Sequence, residues 1–306
     1  YILVFALPRG NMYGIIPAVL TPIDKNNNID LEALKRLINF LIEKGVHGLY
    51  PCGTTGEGPL LSAEERKKIA ETTVNEVGGT VKVMIHTGSV NFDDVIELSK
   101  HAEDIGADAI GVVSPFYYKF DSDALFQFYS SVAKSVDIFV YLYNIPPLTG
   151  NWIYLDVIER LVGEFSNVVG IKDTSGDIKY ILSILGKLGD KIDVLVGSEP
   201  ILMPGLLAGC VGGISGMANS FPELVVSIYD EFSKGNFDKA WELQFKLDKV
   251  SKVIDPINFI AYLKGVLMVR GVDIGFNVKP PLRPLSDEEY VKLKNELGKI
   301  DFSKGE

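Results

Sequence analysis

The chain has 306 residues, of which 47% are hydrophobic and 23% are charged, so it can bury a large core. Its formal net charge of −10 argues against binding to nucleic acids or anionic membrane surfaces, which would need a basic face. Any anionic substrate must therefore be held by local donors. By length the chain could form two domains, but a single (β/α)8 barrel commonly takes about 250 residues.

The N-terminal residues do not have the pattern of a secretion signal. The apolar run 1–7 is short and lacks a basic region before it, and Pro8-Arg9-Gly10-Asn11 separates it from Met12. We expect an extension over residues 1–12, in which residues 1–11 precede a start at Met12. No stretch of the chain is long enough for a transmembrane helix.

Short apolar runs alternate with helical patterns from Gly14 onward, which is typical of βα units wound into a parallel sheet. The predicted strands cover residues 14–21, 48–52, 82–87, 109–114, 137–143, 167–172, 192–197 and 211–216. Eight such runs favour a closed barrel over an open sheet. The predicted fold class is therefore α/β, a (β/α)8 TIM barrel over residues 13–234.

The helical patterns carry recognisable start and stop signals. Asp30 is a good N-cap for the first helix, an apolar stripe follows it from Leu31 to Ile42, and Gly45 ends it. Ser62-Ala63-Glu64-Glu65 has the spacing of a capping box at the start of the second helix.

No strand is predicted after about residue 234. Residues 237–253, 255–270 and 286–299 instead predict three helices, with prolines between the last two. We expect residues 235–306 to form a C-terminal helical extension that serves packing or oligomer contacts.

The cysteines and histidines of the sequence argue against a disulfide framework, a nucleophilic cysteine and a metal site. Cys52 and Cys210 each lie in or near a predicted strand, which suits reduced core thiols of a cytoplasmic protein better than a disulfide framework. A nucleophilic cysteine is disfavoured because no histidine lies near either in sequence. His47, His86 and His101 have no metal-ligand spacing, so we expect no metal site.

Lys172 stands at the end of Asn167–Asp173, an apolar run that predicts a buried parallel strand. Desolvating an ammonium is costly, so a lysine at the mouth of a barrel strand commonly has a function. Burial lowers an amine pKa and frees the lone pair that attacks a carbonyl, which favours a Schiff base. The alternative is a lysine that reaches out of the strand end to a salt bridge with Asp173 or a neighbour. This stretch alone does not decide between them.

Other predicted strands also end in residues suited to chemistry. Gly53-Thr54-Thr55-Gly56-Glu57 follows the second strand, and its exposed N–H groups and two hydroxyls suit a small carboxylate, although an ordinary tight loop is the alternative. Tyr143 ends the fifth strand, where a phenol relays protons beside an imine or simply packs. Ser114–Tyr118 form an aromatic cluster after the fourth strand that walls a pocket or fills an interface.

Taken in order, four motifs resemble the dihydrodipicolinate synthase/N-acetylneuraminate lyase family of class I pyruvate-dependent aldolases. The motifs are Gly53–Glu57, Tyr143–Pro146 with Thr149-Gly150, Gly170–Asp173, and Leu206–Gly209 through Ser215. The resemblance covers residues 13 to about 300, including the C-terminal helices. Four ordered motifs are far more specific than any one of them.

The resemblance implies roles for five residues. Lys172 would condense with the C2 carbonyl of pyruvate or another 2-keto acid, and Tyr143 would shuttle the proton between the C4 hydroxyl and the imine. Thr54 and Thr55 would bind the carboxylate. Tyr117 would reach across a dimer interface into the neighbouring site, which implies a homo-oligomer, a dimer of dimers. The implied mechanism uses a covalent pyruvate imine and neither a metal nor a further cofactor.

Differences from the family pattern narrow the choice of the aldehyde that the enzyme uses with pyruvate. Dihydrodipicolinate synthases carry an arginine for the aldehyde carboxylate where this chain has Leu148, and a leucine cannot make a bidentate carboxylate contact. Sialic acid lyases carry an acidic pair where this chain has Glu199-Pro200. Phosphate-tolerant members tend to carry an arginine where this chain has Phe120, although glycine-rich strand ends alone could cradle a phosphate.

We therefore predict a reversible aldolase that cleaves a 2-keto-3-deoxy sugar acid to pyruvate and an aldehyde. The alternatives are 4-hydroxy-tetrahydrodipicolinate (dihydrodipicolinate) synthase, N-acetylneuraminate lyase, and a non-catalytic keto-acid-binding barrel. The residues expected to bind substrate are Thr54, Thr55, Leu148, Thr174, Ser198, Glu199, Ile214 and Ser215.

Overall fold

The computed structural model describes residues 8–300. The eight strands are β1 Gly14–Pro17, β2 Gly48–Leu49, β3 Lys82–His86, β4 Ala109–Val113, β5 Phe139–Asn144, β6 Val168–Asp173, β7 Asp193–Val196 and β8 Gly212–Ser215. They belong to one sheet in the order β1-β8-β7-β6-β5-β4-β3-β2, and the neighbours from β3 to β8 pair in parallel. This topology confirms the (β/α)8 barrel fold class.

Helices follow the strands in alternation. They are α1 Leu31–Glu43, α2 Ala63–Val77, α3 Phe92–Asp104, α4 Ser122–Ser135, α5 Pro146–Thr149, α6 Leu155–Glu164, α7 Ile178–Leu188, α8 Leu202–Ala208, α9 Pro222–Ser233, α10 Phe237–Ser251, α11 Phe259–Val269 and α12 Asp287–Leu297. Short 3-10 helices cover Gly58–Leu60, Glu199–Ile201 and Met217–Asn219. The predicted C-terminal helices thus correspond to α10, α11 and α12, and the described residues after 234 contribute no strand to the sheet.

The helix caps form where the sequence predicts them. The Asp30 carboxylate accepts the Ala33 N–H at 2.9 Å, so it caps α1. Ser62 and Glu65 make both reciprocal hydrogen bonds of a capping box at α2. Local side-chain chemistry therefore sets the first turn of both helices.

The first two strands are shorter than predicted. Residues 18–21 leave the strand, although the Ala18 N–H still donates to the Ser215 carbonyl at 2.9 Å. The second strand has only two residues, because the chain then turns through Cys52, which has a positive φ of 61°. The apolar character of both segments reflects burial in a turn as well as in a strand.

The chain divides into two compact units. Among the described residues, one unit comprises residues 8–14 and 82–214, and it contains strands β3 to β7 and most of β8. The other comprises residues 15–81 and 215–300. In the second unit, α9 packs against α10 and α11 against α12. The predicted boundary at residue 234 stays a prediction.

In the first unit, described residues of the predicted N-terminal extension contact the strands. The N–H groups of Arg9 and Gly10 donate to the Asp193 carboxylate at 3.0 and 2.8 Å. A side chain on Gly10 would overlap with the Tyr141 hydroxyl, so this close approach needs glycine. The predicted apolar run 1–7 lies outside the described residues.

Candidate active site

Lys172 and Tyr143 are neighbours in the first unit. Strands β5 and β6 pair so that Tyr143 lies opposite Lys172. Lys172 is only 4% exposed, and its Nζ lies 4.1 Å from the centre of the Tyr143 ring. The face of a tyrosine ring is a favourable neighbour for the head group of a lysine. The two predicted reactive side chains are therefore brought together.

Asp173 fixes the strand ends that carry this pair. Its carboxylate accepts the Asn144 amide N–H and the Ser175 hydroxyl, both at 2.7 Å. Asn144 in turn accepts the Ile153 N–H at 3.0 Å. Burial is the largest influence on the carboxyl and raises the pKa of Asp173, while the two donors oppose that rise. The Asn144–Asp173 bond thus ties β5 to β6 one residue beyond Tyr143 and Lys172.

The backbone of Gly197 packs closely against Lys172 and Thr174, with no room for a side chain. A Cβ there would overlap with Thr174 Oγ1 and would lie 3.0 Å from Lys172 Cε. The Thr174 Oγ1 atom is buried and has no hydrogen-bond partner among residues 8–300. A buried hydroxyl without a partner is uncommon, so it is a candidate contact for a polar ligand. Ser198 and Glu199, which follow Gly197, are half-buried.

Aromatic and aliphatic side chains enclose Tyr143. Val113 and Ile145 form a buried cluster with it, and Phe116 packs against this cluster. The His86 ring approaches Tyr143 edge-on, with ring centres 6.0 Å apart. Sequence reasoning treated His86 only as a potential metal ligand, although its position at the end of β3 was a signal that it belongs beside the other strand-end residues.

Two predicted site residues of the first unit are exposed, one in the loop after β4 and one in the short helix α5. Tyr117 is 85% exposed, has a positive φ of 82°, and makes an edge-on ring contact with Tyr118. Leu148 lies in α5 and is 64% exposed. Lys119 donates from Nζ to the Gly150 carbonyl, immediately after α5. Their exposure distinguishes Tyr117 and Leu148 from the buried Lys172–Tyr143 pair.

The predicted carboxylate-binding turn lies in the second unit. The Glu57 N–H donates to the Thr54 carbonyl at 3.1 Å, and the Thr21 hydroxyl donates to the Gly56 carbonyl at 2.7 Å. A side chain on Gly56 would lie 2.7 Å from the Val19 carbonyl oxygen, so the tight turn requires glycine. Thr54 and Thr55 are half-buried at the top of this turn.

Residues at the end of β8 complete the set of predicted side chains. Ile214 is buried in β8 and belongs to the first unit, and Ser215 belongs to the second. The Ser215 hydroxyl accepts the Ala218 N–H at 3.1 Å. Gly216 brings its backbone close to Thr55, since a Cβ there would lie 3.1 Å from Thr55 Oγ1.

The two cysteines are free and buried, as predicted. Burial raises the pKa of Cys52 to about 11 and that of Cys210 to about 12. Both thiols are therefore protonated at neutral pH and unsuited to nucleophilic attack. Between residues 8 and 300, no helix combines the length and apolar character needed to cross a membrane, and no three His, Cys, Asp or Glu side chains are grouped as metal ligands.

Comparison with known proteins agrees with this geometry. Residues 11–300 match the Dihydrodipicolinate synthetase family. The chain is 36% identical to the 4-hydroxy-tetrahydrodipicolinate synthase of Methanothrix thermoacetophila over 96% of this chain and 98% of that protein. Many further relatives and solved structures are similar.

Two solved structures superpose closely. YagE from E. coli K12, a prophage protein of the dihydrodipicolinic acid synthase family solved with pyruvate, has a TM-score of 0.90 at 33% identity, covering 94% of this chain and 98% of YagE. CdNal from Clostridium difficile, solved with mannosamine, has a TM-score of 0.90 at 30% identity, covering 95% and 99%. The resemblance in the sequence is confirmed: the chain belongs to the Dihydrodipicolinate synthetase family and is a lyase of the class I aldolase type.

Proposed function

We propose that this enzyme reversibly cleaves a 2-keto-3-deoxy sugar acid to pyruvate and an aldehyde. The observation that carries the proposal is the contact between Lys172 and Tyr143, in which a nearly buried amine lies 4.1 Å from the ring centre of a buried tyrosine. A Schiff-base aldolase needs an amine and a proton carrier at this range. Thr174, with a buried hydroxyl that lacks a partner in the described chain, supports a polyhydroxy substrate.

The reaction begins at the lysine. The neutral amine of Lys172 attacks C2 of the keto acid to give a carbinolamine. Its hydroxyl leaves as water with a proton from Tyr143, a proton that solvent can also supply, and this gives an iminium and the Tyr143 phenolate. Tyr143 takes the proton of the C4 hydroxyl, the C3–C4 bond breaks, and its electron pair moves to the iminium nitrogen to give an enamine and the aldehyde. Protonation at C3 and hydrolysis of the imine release pyruvate and restore the amine. Neither a metal nor a further cofactor takes part in the proposed steps.

The remaining side chains divide between the two ends of the substrate. Thr54 and Thr55 supply two half-buried hydroxyls on a tight turn, and they suit the carboxylate of the keto acid. Thr174, Ser198, Glu199 and Ser215 suit sugar hydroxyls, and Ile214 supplies an apolar contact to the pyruvyl methylene. Leu148 has no charge to offer a second carboxylate, which favours an uncharged aldehyde end.

Borohydride trapping tests the mechanism. Incubation with pyruvate and borohydride should add one reduced pyruvyl group to a peptide that contains Lys172, as read by mass spectrometry. Lys172→Ala should take up none. Absence of the adduct in the wild-type protein would contradict the Schiff base. Trapping of pyruvate without turnover of any aldehyde would favour the non-catalytic binder.

A second candidate function is 4-hydroxy-tetrahydrodipicolinate synthase. The 36% identical relative from Methanothrix thermoacetophila bears that name, and the Lys119 side chain reaches Gly150, next to the helix α5 that carries Leu148. A lysine there would serve as a point charge for the carboxylate of aspartate semialdehyde in place of a bidentate arginine.

An aldehyde screen separates the two candidates. Pyruvate is supplied with aspartate semialdehyde, glyceraldehyde or N-acetylmannosamine, and the products are identified by mass. Condensation with glyceraldehyde but not with the semialdehyde supports the sugar-acid activity. The opposite result supports the synthase, and a product only from N-acetylmannosamine supports the neuraminate lyase.

The exposed Tyr117 supports a homo-oligomer, proposed here as a dimer of dimers. Tyr117 combines a strained, left-handed backbone conformation with a large aromatic side chain that is exposed in the single protomer. Both features are explained if a second copy of the chain covers this side chain. Mixing the inactive variants Lys172→Ala and Tyr117→Phe should restore activity if one protomer supplies Tyr117 to the other. Ultracentrifugation that shows a monomer at assay concentration would contradict this arrangement.

A further inference from the structure

A buried ion pair links the turn that carries Thr54 and Thr55 to helix α11. Lys264 Nζ lies 2.6 Å from Glu57 Oε1, and both side chains are 0% exposed. Glu57 is the last residue of the turn, and Lys264 lies in the middle of α11. The pair joins positions that are 207 residues apart, so the C-terminal helical segment is attached directly to this loop.

Both carboxylate oxygens of Glu57 have donors. Oε1 accepts from Lys264, and Oε2 accepts the Lys279 backbone N–H at 2.5 Å. Lys264 also donates to the Asn277 carbonyl at 2.6 Å. Burial lowers the pKa of Lys264, and the charge of Glu57 opposes that effect. The carboxylate is therefore held from two sides by the chain segment that ends at Lys279.

The position of the carboxylate constrains the backbone of the turn. Glu57 has a positive φ of 61°, a conformation that residues with side chains seldom adopt. Its N–H closes the turn on the Thr54 carbonyl at 3.1 Å. Strained backbone of this kind persists when the surroundings hold it. Replacing a buried ion pair by apolar side chains often leaves stability unchanged, so a stability role alone does not explain the pair.

We propose that Glu57, held by Lys264, is a positioning residue that orients Thr54 and Thr55 toward the carboxylate of the keto acid. The inference rests on the proposed function, in which this turn receives that carboxylate. Glu57 does not itself touch the substrate. Its role is to keep the backbone N–H groups and the two hydroxyls of the turn in the geometry that a carboxylate needs.

The test compares pyruvate with pyruvamide, which has the same ketone but no carboxylate. Three variants are measured: Glu57→Gln, the double variant Glu57→Met with Lys264→Met, and Thr55→Val. The rate of borohydride trapping at Lys172 is followed with each ketone. A general loss of stability lowers both rates equally, whereas a misplaced turn lowers only the rate with pyruvate.

We expect the preference for pyruvate over pyruvamide to fall roughly tenfold to a hundredfold in all three variants, the range for lost hydrogen bonds to a charged group. The matched control is Glu223→Gln, which breaks the 2.6 Å pair with Arg270 at the end of α11 without touching the turn. It should leave the preference unchanged.

An unchanged preference in a folded Glu57→Gln or double variant would overturn the positioning role. An unchanged preference in Thr55→Val, with pyruvate still trapped at Lys172, would overturn it as well, because the turn would then not receive the carboxylate. Failure of the Schiff base is distinct, since the wild-type protein would then trap neither ketone.

Discussion

Tyr143 and Lys172 occupy directly paired positions on β5 and β6, and the Lys172 amine lies 4.1 Å from the centre of the Tyr143 ring. The phenol is fixed by a buried cluster and the amine by the strand end, so neither side chain has to be ordered when substrate binds. This arrangement predicts which catalytic step each side chain serves.

Tyr143→Phe should separate imine formation from proton transfer. Removing the hydroxyl leaves the ring that contacts Lys172, so pyruvate should still be trapped by borohydride. Turnover should fall roughly a hundredfold to ten-thousandfold, the usual contribution of a positioned proton carrier. Steady-state assays and trapping with the same protein sample check both statements.

Tyr141→Phe is the matched control for this prediction. Tyr141 is buried two residues earlier on β5, where its hydroxyl accepts the Met12 N–H at a long 3.4 Å. Losing this hydroxyl should leave turnover near that of the wild-type protein. Equal losses in the two variants would mean that a buried phenol on β5 matters for folding and not for proton transfer.

Gly197→Ala should abolish activity with little global unfolding. The added methyl group would overlap with Thr174 Oγ1 and press on Lys172 Cε at 3.0 Å, so it displaces the amine or the hydroxyl beside it. Loss of both trapping and turnover, in a protein with an almost native melting temperature, is the expected result. Circular dichroism melting and the trapping assay measure the two quantities.

Gly163→Ala makes the same change where there is room for it. Gly163 lies in α6, and an added Cβ meets no atom within 4 Å. The substitution should raise the free energy of unfolding by about 1 kcal/mol, because alanine has a higher helix propensity than glycine. If Gly163→Ala is fully active and Gly197→Ala is inactive, the loss of activity arises from the crowding beside Lys172. Trapping of pyruvate by Gly197→Ala at the wild-type rate would contradict this prediction.

Much of this architecture follows from the sequence, for identifiable physical reasons. Buried parallel strands such as β6 are nearly continuous apolar runs, and helices such as α1 carry an apolar stripe with an N-cap at Asp30. The pairing of Tyr143 with Lys172 follows once both are placed at strand ends of one parallel sheet. The length of β2 does not follow from the sequence. The strand ends before Cys52, which has a positive φ, and a cysteine in the sequence does not indicate that conformation as a glycine would.

The sequence did not predict the Glu57–Lys264 ion pair, because charged residues are usually expected to lie on the surface. One signal was present. Lys264 interrupts the strongly apolar run Phe259–Val269, where no other charged residue occurs, and a lone charge in such a helix needs a buried partner. The identity of that partner depends on tertiary contacts between distant segments, which periodicity does not encode.

Asp173→Asn should remove a pH-dependent contribution to stability. Burial raises the pKa of the Asp173 carboxyl above its ordinary value, so protonation favours the folded state. That contribution is fully present below the pKa of the unfolded chain and is lost as the pH rises through the higher folded-state value. Wild type should therefore gain stability relative to Asp173→Asn as the pH falls from neutral toward about 4.

Urea unfolding of both proteins across this pH range measures the difference. The exposed Asp137→Asn provides a control for the loss of one negative charge. Its free energy of unfolding should run nearly parallel to that of the wild type. A constant difference between wild type and Asp173→Asn at every pH would show that the Asp173 carboxyl does not titrate differently in the folded protein.

Leu148→Arg should shift substrate preference toward an aldehyde that carries a carboxylate. The leucine is 64% exposed in α5, so this position can accept a longer side chain without repacking a core. An arginine there offers two parallel N–H donors, and charge-assisted pairs of this kind contribute about 1.5–3 kcal/mol. The ratio of kcat/KM for aspartate semialdehyde over glyceraldehyde should rise roughly tenfold or more. Leu182→Arg, on the exposed face of α7, adds the same charge elsewhere and should leave the ratio unchanged. An equal rise in both variants would mean that net charge, and not position 148, selects the aldehyde.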